Sequence, residues 1–226
     1  ILTQAGGRLA PERARDYALW CREQGIRFYV MYGQTEATAR ISYLPPELAA
    51  DHPDSIGVAI PGGELLLLDE CGVPQPLAYG VEAELGYRGP NVMLGYAESQ
   101  ADLAAPAMPP LLRTGDLGYC SADGLWHITG RLKRQIKLSG VRWQLDSLER
   151  QCRDLGWELV ACGQDQALRI ACSAAEEVAT VSDYLHLQLG LHPSLFRVAA
   201  LKDLPRTVAG KVDYSALQRA IEEASA

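Results

Sequence analysis

"IRFYVMYGQTEAT", residues 26–38, decides the fold class. Its first half is apolar, rich in aromatic and branched side chains, and bracketed by Gly25 and Gly33, which is how a short core strand reads. Upstream, "APERARDYALWCREQG" (residues 10–25) reads as a helix: Pro11 suits the first turn, Ala14, Tyr17, Ala18 and Cys21 share one face, and Gly25 supplies the C-terminal stop. "ILTQAGG" (residues 1–7) reads as another short buried strand running into a glycine turn. Strand, helix, strand in that order is an α/β unit. Such units place ligands at the carboxyl ends of their strands, and glycines stand at both ends here: Gly6 and Gly7 after the first strand, Gly33 after the second.

Downstream the texture changes. From Ile56 to about Tyr96, short apolar runs ("GELLLLDE", "VEAELGYRG") alternate with Gly and Pro, which predicts a small antiparallel β unit without a helix. "PAMPPLL" (106–112) predicts a proline-rich loop, and "GDLGYCSADGLWHITG" (115–130) hairpin pieces turning at Asp123-Gly124. After "GRLKRQIKLSG" (130–140) the pattern is strand, helix, strand, strand, helix, strand, helix. Leu145, Leu148, Cys152 and Leu155 line the first of these helices, Val178, Val181 and Leu185 the second, and Leu217, Ala220 and Ile221 the last, with Gly156 and Gly190 as stops. A domain boundary is placed at Lys133, giving domains of residues 1–132 and 133–226.

The two parts differ in charge: residues 1–132 hold 9 arginines, no lysine and 16 acidic residues, whereas residues 133–226 hold 12 basic and 12 acidic residues. An acidic balance with no long basic run argues against nucleic acid as a partner, because phosphate-backbone binding needs clustered Lys and Arg. The six cysteines form no C-x-x-C pair and several fall in apolar stretches, so they are expected as reduced core thiols. There is no signal-peptide pattern and no 18-residue apolar run, which predicts a cytoplasmic protein without a membrane span; the start at Ile1, inside a strand-like segment, suggests a fragment.

Four stretches could carry chemistry. "YGQTEAT" (32–38) offers a ring that can stack on a base, a glycine that admits a ligand, a hydroxyl for phosphate, and a carboxylate for a hard cation. "RTGDLG" (113–118) offers Asp116, able to accept two ribose hydroxyls. "GRLKRQIK" (130–137) offers Arg131 beside the domain joint. "LPRTVAGKVDY" (204–214) holds up Lys211, one of only four lysines, on a loop shaped by Pro205 and Gly210. Singly, each has a plainer account: a polar loop, a turn aspartate, a solvated basic face, a surface lysine before the last helix.

Taken in order, strand-"AGG", "YGQTEAT", "ELGYRGPNVMLGY", "RTGDLG", "GRLKRQIKLSGVRW" and "LPRTVAGKVDYSAL" resemble the back half of the adenylate-forming enzymes: acyl- and aryl-CoA synthetases, firefly luciferase and the adenylation domains of nonribosomal peptide synthetases. The resemblance spans nearly the whole chain. It implies the end of a large domain (an α/β unit plus a small β-barrel-like subdomain) followed by a small mobile α+β lid. It implies an AMP-forming ligase that activates a small carboxylic acid with MgATP and passes the acyl group to the thiol of CoA or of phosphopantetheine on an acyl or peptidyl carrier protein. On that pattern Tyr32 stacks on adenine, with Gly6, Gly7 and Arg8 lining the floor and Gly33 beside the ligand. Thr35 contacts phosphate, Glu36 supports Mg²⁺, Asp116 takes the ribose hydroxyls and Arg131 adds a ribose or phosphate contact. Lys133 is the hinge, Lys211 the catalytic ammonium, and Gly140 lines the thiol channel.

Two departures stand out. The family's phosphate loop is expected upstream of Ile1, so negligible adenylation is expected from this piece alone. The usual Glu-Ile-Glu after the hinge reads "SLE" (147–149). An amino-acid-activating domain that loads a carrier protein remains an alternative, as does a non-catalytic interaction module that keeps the fold.

Overall fold

The computed structural model describes residues 1–104, 111–208 and 210–224, so most of the expected proline-rich loop, residues 106–110, lies outside the described residues. The chain divides into two compact units, Ile1–Thr129 and Gly130–Ala226.

The first unit opens with β1 (Leu2–Gln4), α1 (Pro11–Glu23) and β2 (Phe28–Tyr32), and β1 and β2 pair in parallel. The expected strand, helix, strand order is therefore realised. In α1, Pro11 sits at the first turn, where its missing N–H costs nothing. Gly25 ends the helix at φ +66°, a conformation that side chains with a Cβ disfavour. Ala14, Ala18 and Cys21 are buried, whereas Tyr17 is 48% exposed and lies off the expected face. β1 is a correction as well: expected buried, it is exposed at two of its three residues, because it sits at the end of the strand order and pairs only with β2 among the described residues.

β3 (Ser42–Leu44), β4 (Ser55–Ala59), β5 (Glu64–Leu68), β6 (Pro74–Gln75), β7 (Ala83–Arg88), β8 (Leu112–Cys120) and β9 (Trp126–Arg131) complete a nine-stranded order β1-β2-β3-β4-β9-β8-β7-β5-β6. Every strand pairing recorded beyond β1–β2 in this order is antiparallel. The turn between β8 and β9 closes at Ser121–Leu125 with Gly124 at φ +81°, where Asp123-Gly124 was expected to turn. A short helix α2 (Gln100–Ala104) lies where sequence suggested none. One apolar cluster centres on Ile41, Leu65, Leu85, Tyr87 and Trp126, and a second packs Ala18, Cys21 and Phe28 against Leu44 and Leu125.

The second unit contains β10 (Gln135–Leu138), β11 (Val141–Gln144), α3 (Leu145–Asp154), β12 (Leu159–Gln164), β13 (Ala167–Cys172), α4 (Glu177–Asp183), β14 (Phe196–Ala200) and α5 (Tyr214–Ala224); a π-helical turn, Tyr184–Gln188, extends α4. The strand expected after Gly140 is β11, and it has a partner that was not expected: β10 begins inside the run read as a solvated basic face. Ser139 (φ +47°) and Gly140 (φ +85°) both adopt the left-handed conformation that a two-residue hairpin turn demands, so the run folds back on itself. β12, β13 and β14 form a three-stranded sheet. Leu145, Leu148 and Cys152 of α3, Val181 and Leu185 of the second helical segment, and Leu217 and Ile221 of α5 are buried as expected, while Leu155 is 52% exposed beyond the end of α3. Of the six cysteines, five are buried and none is in a disulfide; Cys71, in the turn before β6, is exposed, contrary to a core role.

Candidate functional site

The carboxyl end of β2 is the best-built corner of the first unit. Gly33 follows Tyr32 and must be glycine: a Cβ there would lie 2.7 Å from the carbonyl carbon and oxygen of Ala39. Thr35–Ala37 then form a 3-10 turn, and the chain reverses through Thr38 (φ +48°) and Ala39 (φ +64°). Two consecutive non-glycine residues in the left-handed region store strain of about 1–2 kcal/mol each, so other contacts must hold them.

Asn91 supplies those contacts. Its side-chain amide donates to the carbonyls of Ala37 and Arg40, both at 2.7 Å, and its side-chain oxygen accepts the Tyr87 hydroxyl at 2.8 Å. Tyr87 is fully buried, so the whole reversal is pinned to the core. The Met93 N–H donates to the Glu36 carbonyl at 2.7 Å, and the Tyr96 hydroxyl donates to the Glu36 carboxylate. That phenol, with help from the backbone, lowers the pKa of Glu36 against a small opposing effect of burial.

Asp116 reaches the same corner from β8. Opposite β7 the register shifts: Gly86 pairs with Arg113 but Glu84 with Leu117, so two extra residues bulge between them. Gly115 takes φ +71° at the bulge, and the Thr114 hydroxyl donates to the Leu85 carbonyl at 2.7 Å while accepting from the Asp116 N–H at 3.1 Å. Glu84, 6% exposed, accepts from Arg113 Nε and Nη2 and from the Gly115 N–H. The bulge delivers the Asp116 carboxylate to the Tyr32 hydroxyl at 2.6 Å.

Of the residues expected from sequence, Tyr32, Gly33, Thr35, Glu36 and Asp116 thus gather at the end of β2. Gly6 (φ +92°), Gly7 and Arg8 follow β1, which runs parallel to β2 and ends on the same edge; the Gln4 side chain donates to the Gly7 carbonyl. Asn91, Tyr87, Glu84, Arg113 and Tyr96 were not singled out from sequence; the Gly-Pro-Asn turn in "ELGYRGPNVMLGY" was the available signal for Asn91. The magnesium expected at Glu36 fits a half-exposed single carboxylate. Among the described residues no group of three His, Cys, Asp or Glu could cage a metal, and a cation carried on substrate phosphates needs only one or two carboxylates.

Arg131, Lys133, Gly140 and Lys211 belong to the second unit. The Arg131 backbone is held at both polar atoms, its N–H by Asp146 at 3.1 Å and its carbonyl by the Gln144 side chain at 3.0 Å. Lys133 is exposed in the 3-10 turn Leu132–Arg134, and Gly140 lies in the β10–β11 turn. Lys211 is exposed on a tied loop: Arg206 and Val212 form an antiparallel bridge, Thr207 N–H donates to the Lys211 carbonyl at 2.8 Å, and Asp213 N–H to the Pro205 carbonyl at 2.9 Å.

Residues 1–97 match the family model described as AMP-binding enzyme. The chain is 31% identical over 199 residues to the hybrid PKS-NRPS synthetase TAS1 of Cordyceps militaris, covering 81% of this chain and 12% of that protein. It is 32% identical over 119 residues to the 2-succinylbenzoate–CoA ligase of Bacillus pumilus, covering 53% of this chain and 24% of the ligase. A solved structure of O-succinylbenzoate coenzyme A synthetase from Bacillus subtilis, in complex with AMP, superposes with a TM-score of 0.68 at 21% identity over 96% of this chain and 45% of the other. The chain therefore spans a minor part of the length of each of these proteins.

Proposed function

We propose that this chain, which belongs to the AMP-binding enzyme family, is the part of an AMP-forming acid–thiol ligase that grips the nucleotide and delivers a catalytic lysine. The observation that carries this is the Tyr32–Asp116 contact at the carboxyl edge of the parallel pair, the edge where α/β units bind ligands. Tyr32 offers adenine an aromatic face while its hydroxyl orients Asp116, whose carboxylate accepts the ribose hydroxyls. Gly6, Gly7 and Arg8 line the floor, Thr35 donates to phosphate, and Glu36 is the oxygen ligand available to Mg²⁺, which would neutralise phosphate charge when bound.

In the reaction a carboxylate oxygen attacks the α-phosphorus, the bond to the β,γ-diphosphate breaks, and pyrophosphate leaves. Lys211 places its ammonium against the negative charge that builds on the carboxylate and α-phosphate oxygens, the kind of electrostatic assistance that dominates phosphoryl-type transfers. A thiolate, from CoA or carrier-bound pantetheine, then attacks the acyl carbon and AMP leaves. Arg131 adds a ribose or phosphate contact, Gly140 lines the thiol's approach, and Lys133 is the pivot about which the second unit turns between the two half-reactions. Similarity to both a peptide synthetase and a CoA ligase supports either acceptor, so the amino-acid-activating reading stands beside the first. Six cysteines without a disulfide are in keeping with a reducing compartment such as the cytoplasm, and no helix among the described residues is long and apolar enough to cross a membrane.

The test is ATP–pyrophosphate exchange in the complete protein across a panel of carboxylic and amino acids. Lys211→Ala is expected to lower turnover by at least about a hundredfold at unchanged ATP affinity, and Asp116→Ala to raise the KM for ATP. Exchange unchanged in Lys211→Ala overturns the proposal.

A further inference from the structure

We infer that Arg134 and Tyr214 are positioning residues that key the Lys211 loop to the turn carrying Lys133; the inference rests on the catalytic reading of Lys211. Arg134 closes the 3-10 turn Leu132–Arg134 and is 8% exposed. Its Nε lies 2.6 Å from Asp146 Oδ1, its Nη2 donates to Glu149 Oε1 at 2.5 Å, and that oxygen also accepts the Ala161 N–H at 2.8 Å. Its guanidinium carbon stands 4.4 Å from the centre of the Tyr214 ring. Nη1 is buried without a hydrogen-bond partner, and Nε meets Asp146 as an ion pair without hydrogen-bond geometry, so the ring face is what meets the charge where no acceptor does.

This arrangement is costly to build. A buried guanidinium loses its hydration, and an apolar side chain of similar size often stabilises a core as well or better. Asp146 and Glu149 offset the charge, and burial still raises the Glu149 pKa despite the arginine beside it. What an apolar residue would not provide is direction: two carboxylates on α3 fix the plane of the fork, and the fork fixes where the Tyr214 ring lies.

Tyr214 opens α5, three residues after Lys211. Asp213, between them, caps the helix by accepting the Ala216 N–H at 3.0 Å and donates its own N–H to Pro205, while Val212 bridges Arg206. A displacement of Tyr214 is therefore passed through Asp213 and Val212 to Lys211. Sequence alone marked Lys133 and Lys211 as two separate stretches; the Arg134–Tyr214 stack joins them within one unit.

The test compares Tyr214→Leu, which keeps bulk but removes the ring, with Tyr214→Phe, which keeps the ring. Hydrogen exchange of peptides covering residues 204–213 is measured in this 226-residue chain, and ATP–pyrophosphate exchange in the complete protein. The expected result for Tyr214→Leu is exchange about tenfold faster in that peptide and a similar fall in turnover at unchanged KM for ATP, with Tyr214→Phe restoring both. Arg134→Met should reproduce the Tyr214→Leu pattern. Unchanged exchange in Tyr214→Leu, or a Tyr214→Phe variant as impaired as Tyr214→Leu, overturns the inference, as does faster exchange with undiminished turnover. A Lys211→Ala control separates the cases: if it too leaves turnover intact, the catalytic reading has failed rather than the positioning.

Discussion

Replacing Asn91 by alanine removes a side chain that ties the reversal after Tyr32 to the core. Three hydrogen bonds are lost, to Ala37, Arg40 and Tyr87. At about 1 kcal/mol each, with a further contribution because the hydroxyl of fully buried Tyr87 loses its partner, the gross loss is about 3–4 kcal/mol. Against that, Thr38 and Ala39 are freed to leave the left-handed region, which returns about 1 kcal/mol apiece. The net destabilisation is about 1–2 kcal/mol. With a urea dependence of about 1–3 kcal/mol per M, the midpoint of unfolding of the first unit should fall by about 1 M at unchanged slope. Tyr87→Phe removes the same hydroxyl from the other side, so the double variant should fall short of additivity by about 1 kcal/mol. Urea unfolding of the four proteins of this cycle, followed by tryptophan fluorescence, measures both quantities. An Asn91→Ala variant within about 0.5 kcal/mol of the parent, or strict additivity with Tyr87→Phe, would refute the claim that Asn91 holds a strained turn.

Gly33→Ala should cost about 1–3 kcal/mol in the same assay, because the added carbon meets backbone that has nowhere to move, whereas Gly7→Ala, with no atom within 4 Å of its would-be Cβ, should stay within about 0.5 kcal/mol. Alkylation of the native chain at about pH 8, read by mass spectrometry, should modify Cys71 first. Burial pushes the Cys152, Cys162 and Cys172 thiols up to about 11, and all six cysteines should react once the chain is unfolded. Because Glu36 is depressed in the folded state, its contribution to stability is present above its unfolded pKa, near 4.5, and is lost as pH falls through the lower folded value. Tyr96→Phe should shrink that acid-side increment, leaving the part due to the backbone, and raise the Glu36 titration midpoint observed by NMR; an unmoved midpoint would show that the phenol does not hold the carboxylate.

The α/β opening was legible because its signals are local. Pro11 and Gly25 mark the two ends of α1, and Ala14, Ala18 and Cys21 recur at helical spacing. The burial of β1 was not legible, since an apolar run says nothing about whether a second strand covers it. β10 was not read as a strand because Lys133, Arg134 and Lys137 make residues 130–137 a basic run, although the Ser139-Gly140 pair that follows is itself a turn signal. Within the candidate site, single residues such as Tyr32 and Asp116 stood out by type and order. Their supports did not: Asn91 acts on carbonyls 51 and 54 residues away, and Tyr96 on a carboxylate 60 residues away, separations at which no periodicity carries information. Glu84 and Arg113 carry no signal of their pairing in sequence, because only the register of β7 against β8 brings them together.

The bulge in β8 has a consequence for how this corner can change. It inserts two residues opposite β7, and because neighbours along a strand face opposite ways, an even insertion leaves Leu117 and everything after it facing as before. Loss or gain of a single residue between Arg113 and Leu117 would invert the remainder of the strand and turn its lining outward. Length variation there is consequently quantised in pairs, and the turn holding Asp116 is free to diversify in composition while its size is policed by parity.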